Sequence, residues 1–137
     1  MTSTSCVVDI STDAALMKRV KANEFCKDGG GSAPVDFPPG PNGYWPQILL
    51  GWCEQNGIEC KPFPAAIYGV RAKMKRDQIL AFVSHCYDGM QSYSDPAHML
   101  TWQGEAYLVN CLMNFRAFLA QNLAKNRFYF IEATEDG

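Results

Sequence analysis

The sequence predicts an α+β fold, a small mixed or antiparallel sheet of about three strands packed against about four helices. Three observations lead there. Short segments of β-branched and aromatic residues recur at 6–10, 66–70 and 127–133. Between them, apolar residues repeat in steps of three and four, the period of a helix with one buried side. The chain has 137 residues, 47% of them apolar and 19% charged, which suits one core, so 1–137 reads as a single domain.

Cys6-Val-Val-Asp-Ile10 is the first expected strand. Ser11-Thr12-Asp13 offers N-cap chemistry, and Leu16, Met17, Val20 and Phe25 then predict a helix that Gly29-Gly30-Gly31 stops. Residues 28–44 hold four of the eight prolines and five of the eleven glycines. Neither a helical nor a strand period survives that density, so a long loop is expected there. Tyr44-Trp45-Pro46 opens a second helix with Ile48, Leu49, Trp52 and Cys53 on its buried side, and Asn56-Gly57 closes it. Pro62 and Pro64 force an extended path into the strand at 66–70. Ile79, Phe82, Val83 and Cys86 predict a helix over 75–88. Ser94-Asp95-Pro96 starts the last helix, whose apolar residues run from Leu100 to Leu123 through Leu112, Phe115 and Leu119. Arg127-Phe-Tyr-Phe-Ile-Glu-Ala133 is apolar on both faces, with Phe128 and Phe130 pointing one way and Tyr129 and Ile131 the other. Such a strand belongs inside a sheet rather than at its edge.

Charge and composition remove several function classes. Twelve basic residues against fourteen acidic ones leave a net charge of −2, whereas duplex binding draws its affinity from a basic excess, so nucleic acid is disfavoured as a partner. The apolar runs are far shorter than the roughly 20 residues a spanning helix needs, so no membrane partner is expected. The first residues carry neither basic cluster nor apolar signal core. A cytoplasmic location follows as an expectation, and with it six reduced cysteines. No C-x-x-C pair occurs, and no metal or other cofactor is expected.

Three constellations are candidates for function. The Gly/Pro loop carries Asp36, Phe37, Tyr44 and Trp45, aromatics and an acid suited to anchoring a protein partner, although Trp45 could equally staple the second helix to the core. Asp88 and Tyr93 add acid and aromatic character to a possible rim, as do Asp95, Glu132, Glu135 and Asp136. Arg71, Lys73, Lys75 and Arg76 place four cations in six residues between a strand and a helix; they form a candidate anion site or, more simply, a solvated turn. A cysteine nucleophile would need His85 or His98 beside it. Cys86 adjoins His85, but neighbours on a helix point about 100° apart. No nucleophile elbow, zinc-protease or dinucleotide-binding motif occurs.

The reading these features support is a non-catalytic protein-binding domain. It would act as an inhibitor or immunity-type protein that neutralises a toxin or effector by occluding its surface. The alternative is a small enzyme with a cysteine nucleophile and a histidine base.

Overall fold

The computed structural model describes residues 3–10, 19–25, 45–91 and 102–136. Five strands form one antiparallel sheet: β1 (Ser3–Asp9), β2 (Arg19–Lys21), β3 (Cys60–Pro62), β4 (Tyr68–Lys75) and β5 (Phe128–Asp136), in the order β2-β1-β5-β4-β3. Three α-helices accompany them: α1 (Trp45–Gln55), α2 (Arg76–Gln91) and α3 (Trp102–Asn122). A single 3₁₀ turn spans Ala22–Phe25. The α+β class and the antiparallel pairing stand. The counts do not: five strands replace about three, and three α-helices replace about four among the described residues.

β5 is the central strand. Its residues register with β1 on one side (Val8 opposite Ile131) and with β4 on the other (Ala72 opposite Ile131). Its two apolar faces are what placed it in the interior of the sheet, where both edges are hydrogen-bonded. One face of the sheet is the floor of the core. Cys6, Val8, Val70, Ala72, Met74, Tyr129, Ile131 and Ala133 point into it and are almost wholly buried. Above them α1 lies over β5, β4 and β1, while α2 and α3 pack against each other. Trp45 and Trp52 of α1 meet Phe82 of α2 at 6.0 and 5.6 Å between ring centroids. Tyr129 is buried, and its hydroxyl accepts the Ala124 amide at 2.7 Å just beyond α3. That bond satisfies the one polar atom the ring takes inside.

Helix ends follow local chemistry. Gly57 takes a positive φ of 66°, and the Ile58 amide donates to the Cys53 carbonyl at 2.9 Å, so α1 ends in a Schellman-type turn as the Asn56-Gly57 pair predicts. At the start of α2 the Gln78 side-chain oxygen accepts the Lys75 backbone N–H at 2.9 Å, half of a capping box. Asp77 adds an acid to the same turn and contacts Arg76 at 3.2 Å.

Three strands depart from the sequence reading. A helix over residues following Asp13 was expected. Instead Arg19-Val20-Lys21 is a strand paired with β1, with Val20 inward and its two cations outward, followed by the 3₁₀ turn. The strand expected at 66–70 runs on to Lys75, because Ala72 and Met74 alternate with Arg71, Lys73 and Lys75. β3 was read only as an extended path. It is an edge strand, where Pro62 need not donate to a further neighbour. In the first two a period of two was hidden by cations that make up one whole face; β3 was hidden by its shortness and its proline. α3 runs through Gly104 without a break. The residues of the Gly/Pro loop and the Ser94-Asp95-Pro96 start lie outside the described residues.

Candidate functional site

The helices pack on one face of the sheet; the other face carries the side chains that the core does not use. Strand alternation and register assemble this face from separate parts of the chain. Lys73 lies opposite Phe130, Lys75 opposite Phe128, and Arg71 opposite Glu132 on the β4–β5 ladder. Across β5, Asp9 faces Phe130 and Val7 faces Glu132; Arg19 and Lys21 extend the same rows onto β2.

The middle of the face is an internal ion network. Glu132 is 1% exposed, the one buried charged side chain among the described residues. Arg19 Nη2 approaches its Oε1 at 2.8 Å and Arg71 Nε its Oε2 at 3.9 Å, while Arg19 Nη1 is 3.6 Å from Asp9. These contacts meet ion-pair distance, but neither carboxylate oxygen has hydrogen-bond geometry to a described residue. The buried charge is thus balanced by two guanidinium groups nearby rather than by directed bonds. Arg71 is also pinned flat. Its guanidinium carbon stands 3.5 Å above the Phe130 ring and 5.9 Å from Phe63. Such stacking suits arginine, whose planar group is weakly hydrated.

Beside this saturated centre lies a less satisfied patch. Phe128 is 45% exposed, and Lys73 and Lys75 each hold an ammonium 5.3 Å from its ring centroid. Both lysines are exposed. An aromatic ring bracketed by two exposed cations offers apolar area and positive charge together, the composition that recognises an acidic, partly apolar protein surface.

No protein-family model, no curated protein and no solved structure matches the chain. What this face can do therefore follows from its own chemistry.

The candidate residues from the sequence fall in different places. Arg71, Lys73 and Lys75 come together, but as one face of β4 rather than as a turn, and Arg71 is committed to Glu132 and Phe130. Arg76 opens α2 and pairs with Asp77. Trp45 is 3% exposed and packed on Phe82, where it staples α1 to the core. Asp88 is exposed on α2, on the helix side of the sheet. Asp36, Phe37, Tyr44 and Tyr93 lie outside the described residues, as do Asp95 and His98. Glu132 corrects its placement among the surface acids: it is buried. Arg19 and Phe63 were not picked out at all. Arg19 fell within the span expected to be a helix, and Phe63 acquires its role only when β3 folds against β4.

The cysteines also correct an expectation. Cys111 is disulfide-bonded, whereas Cys6, Cys53, Cys60 and Cys86 are free. The expectation of six reduced thiols, which was drawn from an expected cytoplasmic location, is overturned at Cys111. Cys6 and Cys86 are buried; burial pushes both thiols up, helped by the Glu132 charge at Cys6 and by Cys6 at Cys86. His85 borders a shallow groove between α1 and α2 lined by Gln47, Ile48, Gly51, Trp52 and Gln55, with no cysteine in its wall. No described helix is long and apolar enough to cross a membrane.

Proposed function

We propose that the chain is a non-catalytic protein-binding domain that acts by covering a partner's surface, as an inhibitor or immunity-type protein covers a toxin or effector. The observation that carries this reading is the exposed Phe128 between Lys73 and Lys75 on the face opposite the described helices. The partner surface it suits is acidic with an apolar spot. Exposed aromatic rings flanked by cations are typical anchors of such contacts.

A nucleic-acid strand fits the same face less well. Single-stranded recognition on a sheet stacks two or three bases on open rings. Here the Phe130 ring is occupied by Arg71, leaving Phe128 as the open ring of this face among the described residues, and Arg19 and Arg71 are engaged by Glu132 and Asp9 rather than free for phosphates. The net charge of −2 adds no general attraction. The cysteine–histidine alternative finds no support at His85, whose groove holds no thiol.

The test compares variants rather than relying on capture alone. A partner retained by the wild-type chain is purified, and its affinity is measured by calorimetry for Lys73→Glu/Lys75→Glu/Phe128→Ala and for Phe37→Ala/Tyr44→Ala. Loss of the aromatic anchor and reversal of two charges is expected to weaken binding by about a hundredfold or more, with the loop variant close to wild type. Unchanged affinity in the folded triple variant overturns this face as the site. Tight binding of single-stranded oligonucleotides that the triple variant abolishes would replace the protein partner by nucleic acid.

A further inference from the structure

Cys53 and Cys60 come from different elements and meet. Cys53 sits in the last turns of α1 with its side chain wholly buried. Beyond it the chain reverses at Gly57, and the Ile58 amide bonds back to the Cys53 carbonyl. Two residues later Cys60 opens β3, opposite the buried Ala72 and therefore on the helix side of the sheet. The reversal and the register together bring Cys60 under the end of α1. There it packs against the core cluster that holds Cys53, where α1 and β3 touch, and Cys60 remains part-exposed. Cys60 thus keeps part of its surface in water while Cys53 is enclosed.

We propose that Cys53 and Cys60 form a thiol–disulfide exchange site that accepts small-molecule disulfides and closes into an intramolecular disulfide. Cys60 is the attacking sulfur and Cys53 the resolving one. The Cys60 thiolate attacks one sulfur of the disulfide. That S–S bond breaks, a mixed disulfide forms on Cys60, and the first small thiolate leaves and is protonated. Cys53 then gives up its proton and attacks the Cys60 sulfur. The Cys53–Cys60 bond forms, and the second small thiolate leaves with a proton. The protein dithiol is oxidised by two electrons, and one disulfide is reduced to two thiols.

Exposure assigns these roles, since Cys60 reaches solvent and Cys53 is enclosed, and the local chemistry agrees. The thiol of Cys53, together with a backbone N–H from Arg71, holds the Cys60 thiol below its ordinary value, against the opposing effects of burial and of Glu54. Cys53 is pushed up, first by the same contact and then by burial. A lowered, accessible thiol attacks; a raised, enclosed one waits until the mixed disulfide places an electrophilic sulfur beside it. Cys6 and Cys86, buried and pushed up, provide internal controls in the same chain.

The experiment uses the full chain with oxidised glutathione and peptide mapping by mass spectrometry. At neutral pH, Cys60 is expected to be alkylated by iodoacetamide about tenfold faster than Cys6 or Cys86. Oxidised glutathione is expected to yield a Cys53–Cys60 linkage with little lasting adduct, whereas Cys53→Ala, folded by circular dichroism, keeps glutathione on Cys60. Phenylarsine oxide, which bridges neighbouring thiols with loss of one water, is expected to add once to the wild-type chain across these two residues. This measurement does not depend on the folding of any variant. Glutathione that stays on Cys60 of the wild type, or a Cys60 no faster than Cys86, or an arsenical that fails to bridge the pair, overturns the proposal.

Discussion

Tyr129, Ile131 and Ala133 on β5 are at most 1% exposed, whereas Phe128 on the same strand keeps 45% of its surface in water. The two faces of one strand are held by different forces. The helix side is stabilised by removal of apolar area from water, at about 25 cal/mol per Å². The other side is an array of cations, one buried carboxylate and aromatic rings whose partners are charges. The first tolerates no loss of volume. The second is sensitive to which charge is removed and indifferent to modest loss of area. A residue's neighbour in sequence says little about the force that holds it; its parity along the strand says a great deal.

The largest effect is expected on the covered face. Ile131→Ala opens a cavity in the middle of the sheet and should cost about 2–5 kcal/mol, read by chemical denaturation. A cost below about 1 kcal/mol would mean that the helices do not press on β5 as described. An intermediate effect belongs to the ion network. Arg19→Ala leaves Glu132 buried with Arg71 alone at 3.9 Å, and is expected to cost about 1–3 kcal/mol. Glu132→Gln should cost less, because Arg19 is 51% exposed and can turn to water while Arg71 keeps its stacking on Phe130. The reverse order would show that the carboxylate organises the arginines, not they it. The smallest effect on stability is expected at Phe128. Phe128→Ala should change it by only about 0.5 kcal/mol while weakening partner binding. A large loss of stability would make that ring a structural element and remove it from the binding face.

Much of the core was legible in the sequence. The helical steps of Leu49, Trp52 and Cys53, and of Ile79, Phe82, Val83 and Cys86, are buried as their spacing predicts. The Asn56-Gly57 stop and the central position of the last strand also follow from local chemistry and pattern. What resisted reading was β structure with a charged face. In Arg71-Ala72-Lys73-Met74-Lys75 the inward residues include a small alanine, and a run of cations resembles a solvated turn until a partner strand supplies Phe130 and Glu132. Arg19-Val20-Lys21 fails for the same reason in fewer residues. The contact of Cys53 with Cys60 depends on a reversal whose Gly57 signal was visible, but whose landing point under α1 was set by β3, a strand too short and too proline-rich to announce itself. The disulfide at Cys111 is a fact of tertiary proximity that spacing alone does not carry.

The position of β5 has a consequence for how the molecule assembles. β1 with β2, and β3 with β4, are two separate strand pairs that share no edge; only β5 joins them. Its partners are remote, and the bonded hydroxyls of Ser5 and Thr134 lie 129 residues apart in sequence. An isolated strand pair is marginal in water. Neither half is therefore expected to persist until that long loop closes, so folding should be slow and all-or-none. In hydrogen exchange, amides of the β1–β5 and β4–β5 ladders should open together, since whatever dislodges the middle strand releases both halves at once.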